Sequence, residues 1–349
     1  MRFHVSKPVS LVLGVMFIAL SAASGTEDHR DESFGKWALL SSASRSLVPI
    51  EKVRVAYRFG PLRRDGKVLV MNTAKTQVRF TIGSRECLMN GLKFILTEPV
   101  TELAGSPQLS RIDLEKIINP VLRPSHIRDA GNFNTVILDP GHGGSDPGAI
   151  NSLGTEATYN LQVGQKARAM LEKSDYRVVM TRQSDRYLTL QQRVDLANAV
   201  LGNAVFISIH FNSGGADARG IETFTLSPTG VSHYGRGLLA SDFSARTGNR
   251  QDSANIALAT AFHGSLKRRL GGDAKTIDRG IKRARFTVLS GVRHPAILIE
   301  GGFMSHPHEA RLIANDAYRA AVANSIVDAV ARYRAAVTRK PVAATTTVR

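Results

Sequence analysis

Two patterns of hydrophobic and polar positions divide this chain. Between residues 48 and 100, apolar and polar residues alternate in short runs, and turn-forming pairs such as Asn90-Gly91 separate them. Such a pattern is typical of strands joined by hairpins. From Thr135 onward, continuous apolar runs alternate with longer segments of helical periodicity. Continuous β-branched runs indicate strands that are buried on both faces, as in a sheet covered by helices.

The second pattern predicts an α/β domain at residues 134–335. Its predicted strands are 135–139, 176–181, 204–210, 220–226, 285–290 and 295–301. Its predicted helices are 155–173, 189–201, 252–270 and 308–335. Alternating strands and helices favour a single twisted, mostly parallel sheet flanked by helices. We expect the residues after it, 336–349, to form a disordered tail.

The first pattern predicts a small β-rich domain at residues 46–126. Helical spacing follows its strands from residue 111, and Pro120 is expected to end that helix. Its single cysteine, Cys87, has no partner for an internal disulfide and is expected to be a small apolar residue of this domain.

The start of the chain has the layout of a secretory signal peptide. Residues 1–25 combine two early positive charges, a short apolar run and a stretch of small residues. An uncleaved membrane anchor is the alternative, although the apolar run is short for a membrane span. Polar residues 26–45 are expected to form a linker. These features predict an exported protein, located in the periplasm, in the cell envelope or outside the cell.

The formal net charge of +17 favours polyanionic partners. For an exported protein we expect anionic wall polymers or an envelope surface. Nucleic acid is not expected, because aromatic residues make up 6% of the chain and no motif interleaves them with basic residues.

Four chemistry-bearing residues are expected to meet at one edge of the predicted sheet. His142 follows the first strand, whereas His210 and Glu300 each close a later one. Glu156 begins the helix after His142. The carboxyl ends of parallel strands lie along one edge, so these side chains can converge. Two histidines and one glutamate suit Zn²⁺ with a fourth position open for water, and Glu300 then remains to move protons.

The motifs around these residues resemble the zinc-dependent N-acetylmuramoyl-L-alanine amidases, a family of bacterial cell-wall hydrolases. The resemblance covers residues 134–333 and rests on VILDPGHGGSDPGA, GTEATYNLQVGQKARAMLE, VVMTRQSDRYLTLQQRVDLAN, VFISIHFNS, GIETFTL, DRGIKRARFTVL and PAILIEGGFMSHPHEARLI. It implies that His142, Glu156 and His210 bind zinc and that Glu300 is the catalytic glutamate. It also implies hydrolysis of the amide bond between N-acetylmuramic acid and L-alanine in peptidoglycan. The motif after Glu300 departs from the usual family sequence.

A second resemblance concerns the small domain. The stretch FTIGSRECLMNGLKFILTEPVTELAGSPQLSRIDLEKIINPVL is similar to the N-terminal domain of copper amine oxidase-like proteins. Residues 46–125 contain no histidine, so nothing in this segment suggests copper ligands. The ligand of this domain stays open.

Three further residues are candidates for contacts around the site. Asp139 could accept a hydrogen bond from His142, or simply form the turn before Pro140. Glu222 could touch substrate from a neighbouring strand, and Arg279 could meet carboxylates of the stem peptide. Some relatives carry a helix that plugs the zinc site, but segment 227–251 shows no long amphipathic helix. A protein activator stays open.

Two other functions remain open on the sequence alone. One is a non-catalytic wall-binding protein on the same fold, which the presence of Glu156 and Glu300 disfavours. The other is a zinc peptidase or deacetylase that acts on a different bond of the wall.

Overall fold

The computed structural model describes residues 40–42, 45–271 and 276–338. The predicted signal peptide, most of the predicted linker and residues 339–349 lie outside the described residues. The described residues belong to one compact unit. None of their helices is both long enough and apolar enough to cross a membrane.

The strands of the N-terminal part are short and mostly antiparallel. They are β1 (Leu40–Ser42), β2 (Arg45–Pro49), β3 (Arg63–Asp65), β4 (Val68–Asn72), β5 (Gln77–Thr81), β6 (Glu86–Met89), β7 (Leu92–Ile95), β8 (Thr101–Leu103) and β9 (Ser106–Ser110). The helical segments here are α1 (Ile50–Ala56), α2 (Arg111–Asp113), a π-turn (Leu114–Ile118), α3 (Asn119–Leu122) and a 3₁₀ turn (Pro124–His126).

Strands and helices alternate in the second part. Its strands are β10 (Thr135–Pro140), β11 (Ile150–Asn151), β12 (Gly154–Thr155), β13 (Arg177–Met180), β14 (Ala204–Asn212), β15 (Ile221–Leu226), β16 (Asp278–Ala284) and β17 (Ala296–Phe303). Its helices are α4 (Glu156–Glu172), α5 (Leu190–Asn198), α6 (Asp252–Leu270), α7 (Thr287–Gly291), α8 (Pro307–Ala314) and α9 (Asp316–Thr338).

The central sheet has the order β13-β10-β14-β17-β15-β16. β13, β10, β14 and β17 are parallel, whereas β15 runs antiparallel to β17. The carboxyl ends of β10, β14 and β17 therefore share an edge with the first residues of β15. Phe206, Phe224 and Leu298 belong to a buried cluster on one face of this sheet. The α/β class with a mostly parallel, helix-flanked sheet is confirmed.

The sheet continues from the second part into the N-terminal part. Ile281 of β16 pairs with Phe94 of β7, and β7-β6-β5-β4-β3 extend the same sheet to eleven strands. The division into domains at residues 46–126 and 134–335 stays a prediction; the described residues of both belong to one compact unit.

Several predicted elements were wrong. The apolar run at 285–290 contains α7 rather than a strand, and the strand is β16 at Asp278–Ala284. Residues of the alternating run after Val48 form α1, in which Ile50 and Val53 are buried. A single helix at 308–335 is broken into α8 and α9. Pro120 does not end its helix, because it lies in the first turn of α3, where a missing N–H costs little.

Candidate metal centre and active site

The loop after β10 uses glycine where candidate ligands approach the backbone closely. A Cβ atom on Gly141 would lie 2.1 Å from Cε1 of His210. A Cβ atom on Gly148 would lie 2.6 Å from Oε2 of Glu156 and 2.7 Å from Cδ2 of His142. Any larger residue at either position would displace a candidate ligand, which explains the glycine content of this motif.

Two buried arginines hold the backbone of the same loop. Arg182 donates to the carbonyls of Pro140 at 2.9 Å and Gly141 at 2.8 Å. Arg193 donates to the carbonyls of Pro140 at 2.8 Å and His142 at 2.7 Å. Burial, with a contribution from Arg193, lowers the pKa of Arg182 to about 10, so it stays charged at neutral pH. Three successive carbonyls are thus satisfied inside the protein.

The loop, a helix start and a strand end bring three candidate ligands together. Nε2 of His142 lies 3.2 Å from Oε2 of Glu156, and Nδ1 of His210 lies 2.9 Å from Oε1 of Glu156. One ligand atom from each residue lies within 4.8 Å of the others. Glu156 is the first residue of α4, where Thr155 caps the helix by accepting from the N–H of Thr158.

Glu156 is held as a carboxylate. Burial opposes its ionisation, but hydrogen bonds from His142 and His210 outweigh burial and keep the pKa of Glu156 well below its ordinary value. The backbone N–H groups of Ala149 and Phe211 also donate to this carboxylate, at 3.0 and 3.3 Å. Two imidazoles and one carboxylate form a donor set that fits a divalent metal such as zinc.

The ring of His142 contacts a different aspartate from the one considered in the sequence. Asp146, rather than Asp139, lies 2.8 Å from Nδ1 of His142. Asp139 instead accepts from Arg193 at 2.7 Å, and from the hydroxyls of Thr181 and Ser208. Its side chain is buried beneath the loop, so it supports His142 through Arg193 and the backbone. Asp146 leaves Nε2 of the ring for the candidate metal.

Glu300 lies beside this cluster in the register of the sheet. It pairs with His210 across β14 and with Glu222 across β15. Its Oε2 atom has no hydrogen-bond partner within the described part of the chain. Burial, followed by the charges of Glu156 and Glu222, raises the pKa of Glu300 well above its ordinary value. A divalent cation in the cluster would offset this accumulated negative charge.

Glu222 and Arg279 contact each other. Glu222 is buried, and both Arg279 and the buried Lys282 bind its Oε1 atom, Lys282 at 2.9 Å. The carboxylate that Arg279 binds here is therefore Glu222. The predicted contacts of Glu222 and Arg279 with substrate stay predictions. Among the described residues of segment 227–251, the helical turns are Ala240–Phe243 and Thr247–Gln251, both 3₁₀.

Sequence reasoning missed four residues that support the site. Asp146 lies four residues after His142 in the same loop, and this short spacing could have identified it from the sequence as a neighbour of the ring. Arg182 and Arg193 gave a weaker signal, because arginine is abundant in this chain. Lys282 lay in a segment that was not expected to be a strand, so its position beside Glu222 could not be inferred.

Comparisons with known proteins cover the part of the chain that contains this site. A family model described as N-acetylmuramoyl-L-alanine amidase matches residues 136–332. The amidase AmiC of Neisseria meningitidis is 31% identical over 66% of this chain and 58% of its own length. The uncharacterized protein YqiI of Bacillus subtilis is 30% identical over 57% of this chain and 84% of its own. This chain thus spans less than two thirds of AmiC but most of YqiI.

One solved structure is similar to part of this chain. The catalytic domain of CwlV, an amidase from Bacillus (Paenibacillus) polymyxa var. colistinus, has a TM-score of 0.47 and 29% identity, covering 58% of this chain and 98% of that one. The family model alone spans more than half of the chain and contains all four residues predicted to form the site. This chain therefore belongs to the N-acetylmuramoyl-L-alanine amidase family of enzymes.

Proposed function

We propose that this protein hydrolyses the amide bond between the lactyl group of N-acetylmuramic acid and L-alanine in peptidoglycan. We further propose that His142, Glu156 and His210 hold a zinc ion for this reaction. The observation that carries the proposal is the convergence of these three ligands beside Glu300, whose Oε2 atom is unpartnered among the described residues. The family membership of the chain supports the choice of bond.

An amide bond needs both a polarised carbonyl and a strong nucleophile. Zinc, when bound, polarises a carbonyl oxygen and lowers the pKa of water from 15.7 to about 7. Glu300 accepts a proton from the attacking water at this edge of the sheet and returns it to the leaving amine. Such transfer contributes roughly 10²–10⁴-fold to the rate.

The remaining residues keep the site in one geometry. Asp146 fixes the ring of His142, and the backbone of His142 is held by Arg193. Glu156 supplies a negative charge that offsets part of the charge of a divalent ion. Lys282 binds Glu222 on the sheet, and Oε2 of Glu300 has no hydrogen-bond partner among the described residues. These contacts position groups in advance, which is a large part of enzymatic rate enhancement.

The proposed substrate places the protein outside the cytoplasm. Residues 1–25 have the features of an export signal, and the relatives include proteins named cell wall amidases. We therefore propose that the protein is exported to the periplasm or the cell envelope. Peptidoglycan is its proposed partner, and binding of wall or envelope by residues 46–126 stays a prediction.

Mass spectrometry of digested peptidoglycan tests the proposal. We expect purified, zinc-loaded protein to release intact stem peptides from glycan whose muramic acid keeps a free lactyl acid. Cleavage between two amino acids would instead indicate a peptidase, and loss of acetyl groups would indicate a deacetylase. Wall binding without any product would indicate the non-catalytic alternative, and each of these three results would contradict the proposal.

A further inference from the structure

A second concave site lies at the sheet edge opposite to the catalytic one. It has a volume of about 520 Å³, and its lining includes Ala204, at the start of β14, and Pro295, just before β17. Ala204 and His210 lie on the same strand, about 20 Å apart at ~3.3 Å per residue. A ligand in this pocket would therefore leave the catalytic edge free.

Three arginines and one aspartate line this pocket. Arg128 and Arg250 are exposed, and the contacts of the described residues give neither of them an ion pair or a hydrogen bond from its side chain. Arg293 also lines the pocket, and it donates to the carbonyl of Val200 at 2.6 Å. Asp129 is the single carboxylate among the lining residues. The pocket thus carries an excess of positive charge in a concave site.

The wall of the pocket also contains a buried histidine. His294 is 4% exposed, and its Nε2 atom is buried without a hydrogen-bond partner within the described residues. Burial, together with Arg293, lowers the pKa of His294. The positive charge of the pocket therefore comes from its arginines.

We propose that this pocket binds a phosphate compound, such as a phosphate monoester. Guanidinium groups bind phosphate oxygens through paired, charge-assisted hydrogen bonds. Arginines from three separate segments match a tetrahedral oxyanion better than a planar carboxylate with two oxygens.

Calorimetric titration of the full chain with glycerol 3-phosphate tests this site. We expect the Arg128→Gln/Arg250→Gln variant to lose at least about tenfold in affinity, because two charge-assisted contacts are removed. The matched control is Arg63→Gln/Arg79→Gln, which removes the same charge from exposed positions on β3 and β5. The control should change the affinity by less than about twofold. Equal losses in both variants, or no saturable binding to the unmodified protein, would overturn the proposal.

Two further binding experiments identify the chemistry of the ligand and its source. Inorganic phosphate should displace glycerol 3-phosphate, because both present tetrahedral oxygens to the same guanidinium groups, and a failure to displace it would contradict the proposal. Soluble glycerol 3-phosphate should compete with vesicles of phosphatidylglycerol if a lipid headgroup is the source. Vesicle binding that soluble glycerol 3-phosphate does not displace would indicate a general basic surface and would contradict the pocket.

This proposal is independent of the proposed hydrolysis. Arg128→Gln/Arg250→Gln should cleave a small soluble muropeptide at the unmodified rate. Glu300→Gln should lose hydrolysis yet bind glycerol 3-phosphate normally. Loss of glycerol 3-phosphate binding in Glu300→Gln would show that the ligand occupies the catalytic edge, which would overturn the assignment to this pocket.

Discussion

Two histidine–carboxylate pairs in this protein have nearly the same geometry but different surroundings. Nδ1 of His142 lies 2.8 Å from Asp146, and Nε2 of His263 lies 2.9 Å from Asp278. The His142 side chain is 26% exposed, and its other nitrogen faces Glu156 at the candidate metal centre. His263 is completely buried, and its other nitrogen is bound to the hydroxyl of Thr223.

The comparison shows what separates a chemical site from a structural one here. Both nitrogens of His263 are used within the fold, and Asp278 also binds Lys267 and the backbone N–H of Lys93. The pair therefore connects α6 and β16 to β7 of the N-terminal part. At His142, the carboxylate fixes the ring and leaves one nitrogen directed at a cluster of ligands. A His–Asp pair alone thus does not identify a metal centre.

The largest effect is expected from the two histidines themselves. His142→Asn removes a ligand, so zinc affinity should fall by more than about a hundredfold and hydrolysis should fall to background. His263→Asn should keep full zinc affinity and lower the melting temperature, because a buried network is broken. Zinc titration and thermal unfolding of both variants check this. Loss of zinc from a folded His263→Asn protein would contradict the distinction between a metal centre at His142 and a structural pair at His263.

Glu300 tests whether a carboxylate beside the candidate metal centre moves protons without binding the metal. Glu300→Gln should lower the rate of peptidoglycan hydrolysis by roughly 10²–10⁴-fold, because it removes the proton acceptor. Zinc affinity should stay within about twofold of the unmodified protein, since Glu300 is not a proposed ligand. Rate measurements at saturating zinc check this, and unchanged activity would refute the role of Glu300.

A smaller effect is expected from the carboxylate that orients His142. Asp146→Asn should weaken zinc binding by about 10- to 100-fold, as expected for a residue that supports a ligand. Asp185→Asn is the matched control, because Asp185 accepts from the N–H of Gly144 in the same loop and does not bind the ring. Competitive titration against a chelator measures both. Equal effects in the two variants would assign the loss to the loop rather than to the ring.

The smallest effect concerns stability at the second pair. Hydrogen bonds and charges of His263 and Lys267 outweigh burial and lower the pKa of Asp278 to about 2. The pKa of this carboxylate in the unfolded chain is 3.8. At pH values above 3.8 the ionised carboxylate therefore stabilises the fold by about 2 kcal/mol, and this contribution is lost as the pH falls through about 2. Asp278→Asn should lower the free energy of unfolding at pH 6, and the difference should shrink toward pH 2. A pH-independent difference would contradict this.

Much of the site was predictable because its ligands follow strands in short motifs. His142, Glu156 and His210 each lie where a strand ends or a helix begins, so topology alone brings them together. Glu300 was predicted on the same grounds. The residue that contacts the ring of His142 could not be predicted in this way. Asp139 and Asp146 lie on either side of the histidine in the sequence, and only the path of the loop decides which of them meets the ring.

The missed strand has a different physical cause. β16 contains Arg279, Lys282 and Arg283, so its sequence does not look like a buried strand. Lys282 is buried because Glu222 pairs with it, and Arg283 because it donates to Thr225 and to the carbonyl of Lys116. Such pairing depends on tertiary contacts and leaves no periodic signal. The short apolar run at 285–290 then attracted the strand prediction, since helix and strand cannot be separated in so few residues.

X-ray absorption at the zinc edge tests the central claim most directly. The unmodified, zinc-loaded protein should show two imidazole nitrogens and carboxylate or water oxygens at about 2.0–2.2 Å. His210→Ala should leave one imidazole in whatever zinc the protein still binds. A centre with fewer than two imidazoles, or one that is unchanged by His210→Ala, would contradict the account.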